Sequence, residues 1–244
     1  TLGLDYTLIN GDTEYSVKRG TATDNTITIP EIYNGLPVTE IGNDAFADCS
    51  SITDITIPVS VESIGDCAFA NCTSLSSVDI PSSVISIGTS AFSGCTGLLS
   101  INVDSNNSYF SSKDGILYNK GETAFIHIPQ AAVGTEGSVT VPLGITEISD
   151  NAFAERTGIT SINLPDSIES IGNSAFSGCT GITSLTIPNS VTSIGVTAFE
   201  NCNDLSIKWY YNTALTFPVQ YKDKVTEVII PGGIMTIPEN AFLY

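Results

Sequence analysis

A 23-residue repeat runs through most of this 244-residue chain. The stretch from Ser51 reads SITDITIPVSVESIGDCAFANC, and the stretch from Ser74 reads SLSSVDIPSSVISIGTSAFSGC. The same step of 23 residues separates the phenylalanines within each of two series, Phe46, Phe69 and Phe92, then Phe153, Phe176 and Phe199. Such a repeat predicts a solenoid, because one coil cannot bury its own apolar face and must stack on copies of itself.

One repeat unit shows what each position does. Ile55 and Ile57 form a β-branched run, and Pro58 ends it because proline has no amide hydrogen for a strand ladder. Gly65 fits a corner that needs either a positive φ or a close backbone approach. Phe69 is the largest side chain of the coil and is expected to fill the centre of its cross-section. The pattern predicts a mainly β repeat solenoid with 23-residue coils and about ten parallel strands forming one sheet.

Interruptions of the repeat divide the chain into segments of one predicted repeat domain, 1–244. Turn signals at Asn10-Gly11-Asp12 and Asp114-Gly115 each lie between alternating apolar residues and predict hairpins. The segments are an N-terminal cap hairpin at 1–25, coils at 26–103, a hairpin insertion at 104–128, coils at 129–202, an irregular aromatic segment at 203–224 and a last, truncated coil at 225–244. Because the chain starts at Thr1 and stops within a repeat at Tyr244, we expect a removed signal peptide before it and further coils or an anchor after it.

The charge of the chain limits its partners. It has 26 acidic and only 8 basic residues, a formal net charge of −18. Nucleic acids and anionic membranes both favour basic surfaces, so neither is an expected partner. No apolar run is long enough to span a bilayer, so we expect no direct membrane insertion, and we expect a monomer.

Five of the six cysteines share one repeat position, three residues after the phenylalanine. They are Cys49, Cys72, Cys95, Cys179 and Cys202, and Cys67 lies outside this register. Their neighbours are apolar, so we expect buried free thiols that act as small apolar residues. A zinc site is disfavoured because the pair Cys67 and Cys72 has neither a second cysteine pair nor a histidine to complete it. We expect no metal and no cofactor.

The residues give little support for catalysis. His127 is the only histidine, and alternation between Ile126 and Ile128 predicts that it points outward. A glycosidase needs two carboxylates about 5–10 Å apart, and Asp54, Asp79 and Asp166 are candidates if they face one groove. A solvated acidic face is the favoured interpretation of these residues. No catalytic residue is therefore predicted.

Two stretches are candidates for binding. The cluster Trp209, Tyr210 and Tyr211 either caps an irregular coil, which we favour, or binds a sugar or protein. The outward positions of the strands form two polar ladders, the kind of surface that solenoids use for recognition. This candidate ligand-binding face consists of Asp54, Thr56, Ser77, Asp79, Ser100, Asn102, Thr140, Ser161, Asn163, Ser184 and Thr186. The alternative is that small polar residues simply tolerate the close strand spacing.

These motifs resemble the BspA-like class of leucine-rich repeat proteins. The shared pattern is approximately Leu-x-x-Ile-x-Ile-Pro, Val-x-x-Ile-Gly and Ala-Phe-x-x-Cys, and the stretch from Asp114 to Lys120 resembles the hairpin insertion of that family. The resemblance implies a leucine-rich-repeat right-handed superhelix in a secreted or cell-surface bacterial protein, and some members are linked to adhesion. It carries over no functional residue.

The resulting hypothesis is a non-enzymatic binding module, extracellular or on the cell surface. It would mediate adhesion or protein-protein interaction through a protein or glycan ligand on a host or neighbouring cell. The alternatives are a structural spacer within a larger surface protein and, third, a carbohydrate-active enzyme.

Overall fold

A computed structural model describes residues 1–129, 137–212, 215 and 217–230 of the chain. The chain divides into two compact units. Unit 1 comprises Thr1–Gly121 and His127–Ala132, and unit 2 comprises Glu122–Ile126 and Val133–Tyr244. The assignment of residues 1–244 to one repeat domain stays a prediction.

The regular secondary structure of both units consists almost entirely of short strands. Those of unit 1 are β1 (Asp5–Ile9), β2 (Glu14–Lys18), β3 (Thr26–Thr28), β4 (Ile32–Tyr33), β5 (Leu36–Ile41), β6 (Asp54–Thr56), β7 (Ser63–Ile64), β8 (Ser77–Ile80), β9 (Ser86–Ile87), β10 (Ser100–Val103), β11 (Phe110–Lys113) and β12 (Ile116–Asn119). The next strand, β13 (Ala124–His127), contributes His127 to unit 1 and its other residues to unit 2. Unit 2 continues with β14 (Ser138–Thr140), β15 (Glu147–Ile148), β16 (Ser161–Asn163), β17 (Ser170–Ile171), β18 (Ser184–Ile187), β19 (Ser193–Ile194), β20 (Ser206–Tyr210) and β21 (Val225–Ile229). Helix is limited, among the described residues, to the 3₁₀-helix Val219–Lys224.

Each regular coil contains two strands on different sides. The first is the predicted Ile-x-Ile strand, and it pairs in parallel with its counterpart one repeat away, as β8 does with β10 through Val78 and Ile101. The second is in most coils a two-residue Ser-Ile strand, and it forms its own parallel ladder, in which Ile64 pairs with Ile41 and Ile87. This second ladder lies where the sequence indicated only a return leg.

The structure divides the predicted sheet into several short parallel sheets. In unit 1 the first strands pair as β3 with β6 and β8 with β10, while the second strands pair in the order β2, β5, β7 and β9. In unit 2 the first strands pair as β14 with β16 and as β18, β20 and β21. The second strands of unit 2 pair from Ala124 and Phe125 of β13 through β15 and β17 to β19. Both units are therefore β-solenoids, as the repeat predicted.

The predicted hairpins are present. Strands β1 and β2 pair antiparallel across the Asn10-Gly11-Asp12 turn, and β11 pairs antiparallel with β12 across Asp114-Gly115. The insertion is anchored by Asn107, which is buried. Its Nδ2 donates to the carbonyl oxygens of Pro81 and Val84, each at 2.9 Å, and its Oδ1 accepts from two backbone N–H groups of the insertion. The side-chain amide of Asn107 thus forms hydrogen bonds to backbone groups at the point where the repeat is interrupted.

A column of stacked rings fills the centre of unit 1. The ring centroids of Phe46 and Phe69 are 5.6 Å apart, and those of Phe69 and Phe92 are 5.5 Å apart, with nearly parallel planes. His127 ends the column, with its ring 5.8 Å from that of Phe92. The prediction that His127 points outward is wrong, because its imidazole is only 5% exposed. Alternation fails here because His127 occupies the position of a core ring.

Unit 2 has an equivalent column. Phe153, Phe176 and Phe199 stack at 5.0 and 5.7 Å, and Phe125 precedes them with its ring 5.9 Å from that of Phe153. Tyr221, from the 3₁₀-helix, continues the column edge-on at 5.3 Å from Phe199. Its hydroxyl donates to the carbonyl of Val196 and accepts from the N–H of Phe199, so the phenol is satisfied where the regular coils stop.

The corner glycines are required by close approach rather than by a positive φ. Gly65 is not among the residues with positive φ. A Cβ on Gly65 would lie 2.6 Å from the backbone nitrogen of Asn43 in the preceding coil. Backbone atoms cannot move aside as a flexible side chain does, so only glycine fits.

All six cysteines lie within the described residues and are free, and the five in register are buried, as predicted. Four of them donate their Sγ–H to the carbonyl oxygen of the phenylalanine in the preceding coil, at distances of 2.9 to 3.1 Å. The fifth, Cys49, lies in the first regular coil and accepts from the guanidinium of Arg19 at 3.0 Å. Arg156, which occupies the cysteine position in a later coil, is also buried and donates to the carbonyl of Ala154.

The aromatic segment starts more regularly than the sequence indicated. Strand β20 continues the first ladder, with Leu185 paired to Ile207 and Ile187 to Trp209. Trp209 is buried against Tyr211 and Phe217, which favours the packing interpretation of this cluster, and Tyr210 remains 36% exposed. Residues 130–136 of the predicted coils at 129–202, and the end of the truncated coil from 231 onward, lie outside the described residues.

Candidate ligand-binding face

The predicted face residues of unit 1 stand on three neighbouring first strands. In β6, β8 and β10 the inward residue is buried, whereas Asp54, Thr56, Asp79 and Asn102 are exposed and Ser77 and Ser100 are half-buried. Register places Ser77 opposite Ser100 and Asp79 opposite Asn102. Period-2 alternation against a buried isoleucine or valine therefore aligns these side chains in two rows.

The predicted residues of unit 2 form a similar arrangement. Thr140 lies opposite Asn163 in the β14 and β16 pair, and Ser184 and Thr186 are both exposed on β18. Ser161 donates its hydroxyl to that of Ser138 at 3.0 Å. Each unit thus carries its own part of the predicted face.

A hydrogen bond joins two side chains on adjacent strands of unit 1. The Nδ2 of Asn102 donates to the Oδ1 of Asp79 at 2.8 Å, and both residues are exposed. This bond fixes the orientation of one carboxylate oxygen and leaves the second available. A fixed acceptor on a surface costs less conformational entropy on binding than a free side chain.

Several residues that lie beside the predicted face residues were not predicted from the sequence. Thr26 and Thr28 of β3 extend the rows of unit 1, because they pair with Asp54 and Thr56. In unit 2 Thr186 lies opposite Lys208, and Lys208 lies opposite Glu227. The signal for β20 was the alternation Ile207, Trp209 after the last cysteine, which the aromatic composition obscured.

One ion pair lies on this face. The Nζ of Lys208 is 2.7 Å from the carboxylate of Glu227, and both side chains are about half exposed. The hydrogen bond to Glu227 raises the pKa of Lys208 above its ordinary value. An exposed pair like this contributes little stability, but it places an opposite charge beside the lysine.

Each unit has a shallow cavity at the corner that follows a first strand. The unit 1 cavity, about 360 Å³, lies beside Asp79, Pro81, Asn102 and Asp104. The unit 2 cavity, about 420 Å³, is lined by Leu164, Asp166, Thr186, Pro188, Asn189 and Tyr210, and we call it the Tyr210 pocket. At both corners the repeat proline is replaced by another residue. The strand register places Asp104 opposite Pro81 in unit 1. In unit 2 it places Tyr210 opposite Pro188.

The catalytic alternatives gain little from the structure. Asp54 and Asp79 belong to unit 1, and Asp166 lies in the corner after β16 of unit 2 rather than on a strand face. Among the described residues, no three His, Cys, Asp or Glu side chains gather closely enough to hold a metal ion. In the same part of the chain, no helix is both long and apolar enough to cross a bilayer.

Comparison with known families gives one match over most of the sequence. The family model described as BspA type leucine rich repeat region matches residues 22–132 and 137–244, in six copies. No curated protein matches the chain in sequence.

Three solved bacterial structures are similar in fold. A leucine-rich cell surface protein from Faecalibacterium prausnitzii aligns over 94% of this chain and 93% of its own, at 20% identity and a TM-score of 0.56. A leucine-rich repeat protein from Eubacterium ventriosum aligns over 95% and 83%, at 21% identity and a TM-score of 0.59. One from Bacteroides ovatus aligns over 88% and 53%, at 29% identity and a TM-score of 0.55.

Proposed function

The chain belongs to the BspA-type leucine-rich repeat family, and from this premise we propose that it is a non-enzymatic binding module displayed on a bacterial cell surface. Its role would be adhesion or protein-protein interaction with a host or neighbouring cell. One similar structure is described as a cell surface protein, which supports this location. Repeat solenoids commonly bind through the extended surface that their stacked coils create.

The observation that carries the proposal is the pair of rows on β6, β8 and β10. Six polar side chains are held at regular strand spacing over buried isoleucine and valine, with Asp79 and Asn102 joined by a hydrogen bond. Such rows suit an extended polar partner held by many hydrogen bonds, each contributing about 0.5–1.5 kcal/mol net. A small molecule that needs an enclosed apolar pocket is a poorer match.

The structural spacer is the second candidate. It is supported by the internal hydrogen bonding of the rows, since Asn102 and Ser161 each satisfy a neighbour on the adjacent strand. A spacer needs no exposed recognition surface, and its polar residues would only tolerate the close packing of strands.

An array of immobilised host matrix proteins and glycans separates the two candidates. The full chain should bind at least one matrix protein, and the binding should persist in physiological salt. Failure to bind any component of a broad array would contradict the binding module and favour the spacer.

A further inference from the structure

The Tyr210 pocket of unit 2 combines an exposed aromatic ring with a carboxylate. Tyr210 is the residue after Trp209 on β20, and it projects from the strand because its neighbours Trp209 and Tyr211 are both buried. Asp166 is exposed in the corner after β16. A volume of about 420 Å³ falls within the range of small ligand sites.

The pocket lies where the repeat proline is lost. In the preceding coils Pro165 and Pro188 follow the first strand, and Tyr210 occupies the corresponding position in the next coil. A proline ring lies close to the backbone, whereas the longer tyrosine side chain extends beyond it and forms one wall. Thr186 and Asn189 contribute a hydroxyl and an amide to the lining.

The chemistry of the lining selects for a cation with an apolar stem. Leu164, Pro188 and the ring of Tyr210 line the pocket with apolar atoms, and Asp166 carries the only charge among the described lining residues. Lys and Arg bury their methylene stems on apolar surface and keep a charged head at its edge. A cation over an aromatic face is attracted by the negative charge of that face, and arginine also pairs well with a carboxylate.

The charge of the chain also favours a basic partner. The formal net charge is −18, and the nearest cation on the same strand, Lys208, is paired with Glu227. A basic segment would therefore be attracted to this face over a long range and would not be repelled on arrival. An anionic glycan would be repelled, and a neutral glycan would gain nothing from Asp166 beyond hydrogen bonds.

We propose that the Tyr210 pocket is an anchor subsite for a Lys or Arg side chain of an extended basic segment in a protein partner. The proposal rests on the binding function proposed above and adds the partner's chemistry to it. The segment would lie along the rows of unit 2, with its basic side chain in the pocket.

Calorimetric titration of the full chain with a blocked peptide of alternating serine and arginine tests the proposal. Tyr210→Ser and Asp166→Asn should each weaken binding about 5- to 10-fold, and Tyr210→Phe should retain it within about twofold, because the ring face persists. Glu169→Gln is the matched control. It removes the same charge from unit 2 beside β17, outside the pocket, and should change the affinity less than twofold.

Three results would overturn the proposal. One is no measurable binding of the peptide, and another is an equal loss in Asp166→Asn and Glu169→Gln, which would indicate only general charge attraction. The third is a neutral glycan that binds in a Tyr210-dependent way while the peptide does not, which would make the pocket a sugar subsite. If the peptide does not bind but matrix proteins still bind to the chain, the assignment of the Tyr210 pocket is wrong and the proposed binding function is unaffected.

Discussion

The Sγ of Cys95 lies 3.0 Å from the carbonyl oxygen of Phe69, which belongs to the preceding coil. The same oxygen also accepts the N–H of Cys72 at 3.1 Å, so one buried carbonyl has two donors from two coils. The cysteine at this position therefore acts as a stacking contact between repeats as well as a small core residue.

Cys95→Ala should lower the free energy of unfolding by about 1–2 kcal/mol. It removes one hydrogen bond and a buried sulfur, but Phe69 keeps its bond from Cys72 and is not left unsatisfied. Urea denaturation measures the change. Cys67→Ala is the control, since Cys67 is half-buried at a corner outside the register, and it should change stability by about 0.5 kcal/mol or less. Equal losses in the two variants would contradict the stacking role.

The buried thiols should make the protein less stable at alkaline pH. Burial raises the pKa of Cys179 to about 12 and also raises the pKa of Cys202. In the unfolded chain these thiols ionise near pH 8.5, so above that pH the folded state holds more protons than the unfolded state. Their stabilising effect is complete below pH 8.5 and is lost progressively as the pH rises towards 12.

Denaturation curves at pH 8, 9, 10 and 11 test this dependence. The free energy of unfolding should fall across the series, and the fall should be shallower in Cys179→Ala. A stability that stays constant to pH 11 would show that these thiols are not held in their neutral form.

The ring column of unit 1 should be the most sensitive part of its core. Phe69→Ala removes the middle ring of a column with centroid spacings near 5.5 Å, and should cost about 3–5 kcal/mol. Phe69→Leu should cost less, because it keeps most of the buried apolar volume. Thermal or urea unfolding distinguishes the two, and a loss below about 1 kcal/mol in Phe69→Ala would contradict a filled core.

Gly65→Ala should destabilise unit 1 by roughly 1–3 kcal/mol, since its Cβ would meet backbone atoms of Asn43 and Gly42 at 2.6 and 2.7 Å. Ser149→Ala is the matched control, because Ser149 holds the equivalent corner in unit 2 and already carries a Cβ. It should change stability by about 0.5 kcal/mol or less. A loss of stability in Gly65→Ala that is as small as the loss expected for Ser149→Ala would show that the corner at Gly65 tolerates a side chain.

Much of the fold could be predicted from the sequence because the repeat imposes the same packing at every step. Phe69, Pro58 and Cys72 recur with a fixed spacing, and a residue type that recurs at one position identifies what that position buries. The structure confirms the β-solenoid coils, the two hairpins and the buried register cysteines.

The predictions that differ from the structure concern residues at the ends of the regular repeat. His127 looked like an outward strand residue, but it closes a ring column whose last phenylalanine is Phe92. Tyr210 looked like part of one aromatic cluster, yet only its neighbours Trp209 and Tyr211 are buried. Alternation alone cannot tell which ring a neighbouring coil leaves room for, since that depends on contacts distant in sequence.

We propose that the rows of polar side chains on the first strands form the recognition surface. The variant with Asp79→Lys, Asn102→Lys and Asn163→Lys changes three exposed side chains and should leave the urea midpoint nearly unchanged. Its binding to an immobilised matrix protein that captures the native chain is the most direct measurement. We predict that capture falls at least 10-fold, because the variant loses hydrogen-bond acceptors and gains positive charge on the face. Capture at the native level by a correctly folded variant would contradict the claim and place recognition elsewhere on the chain.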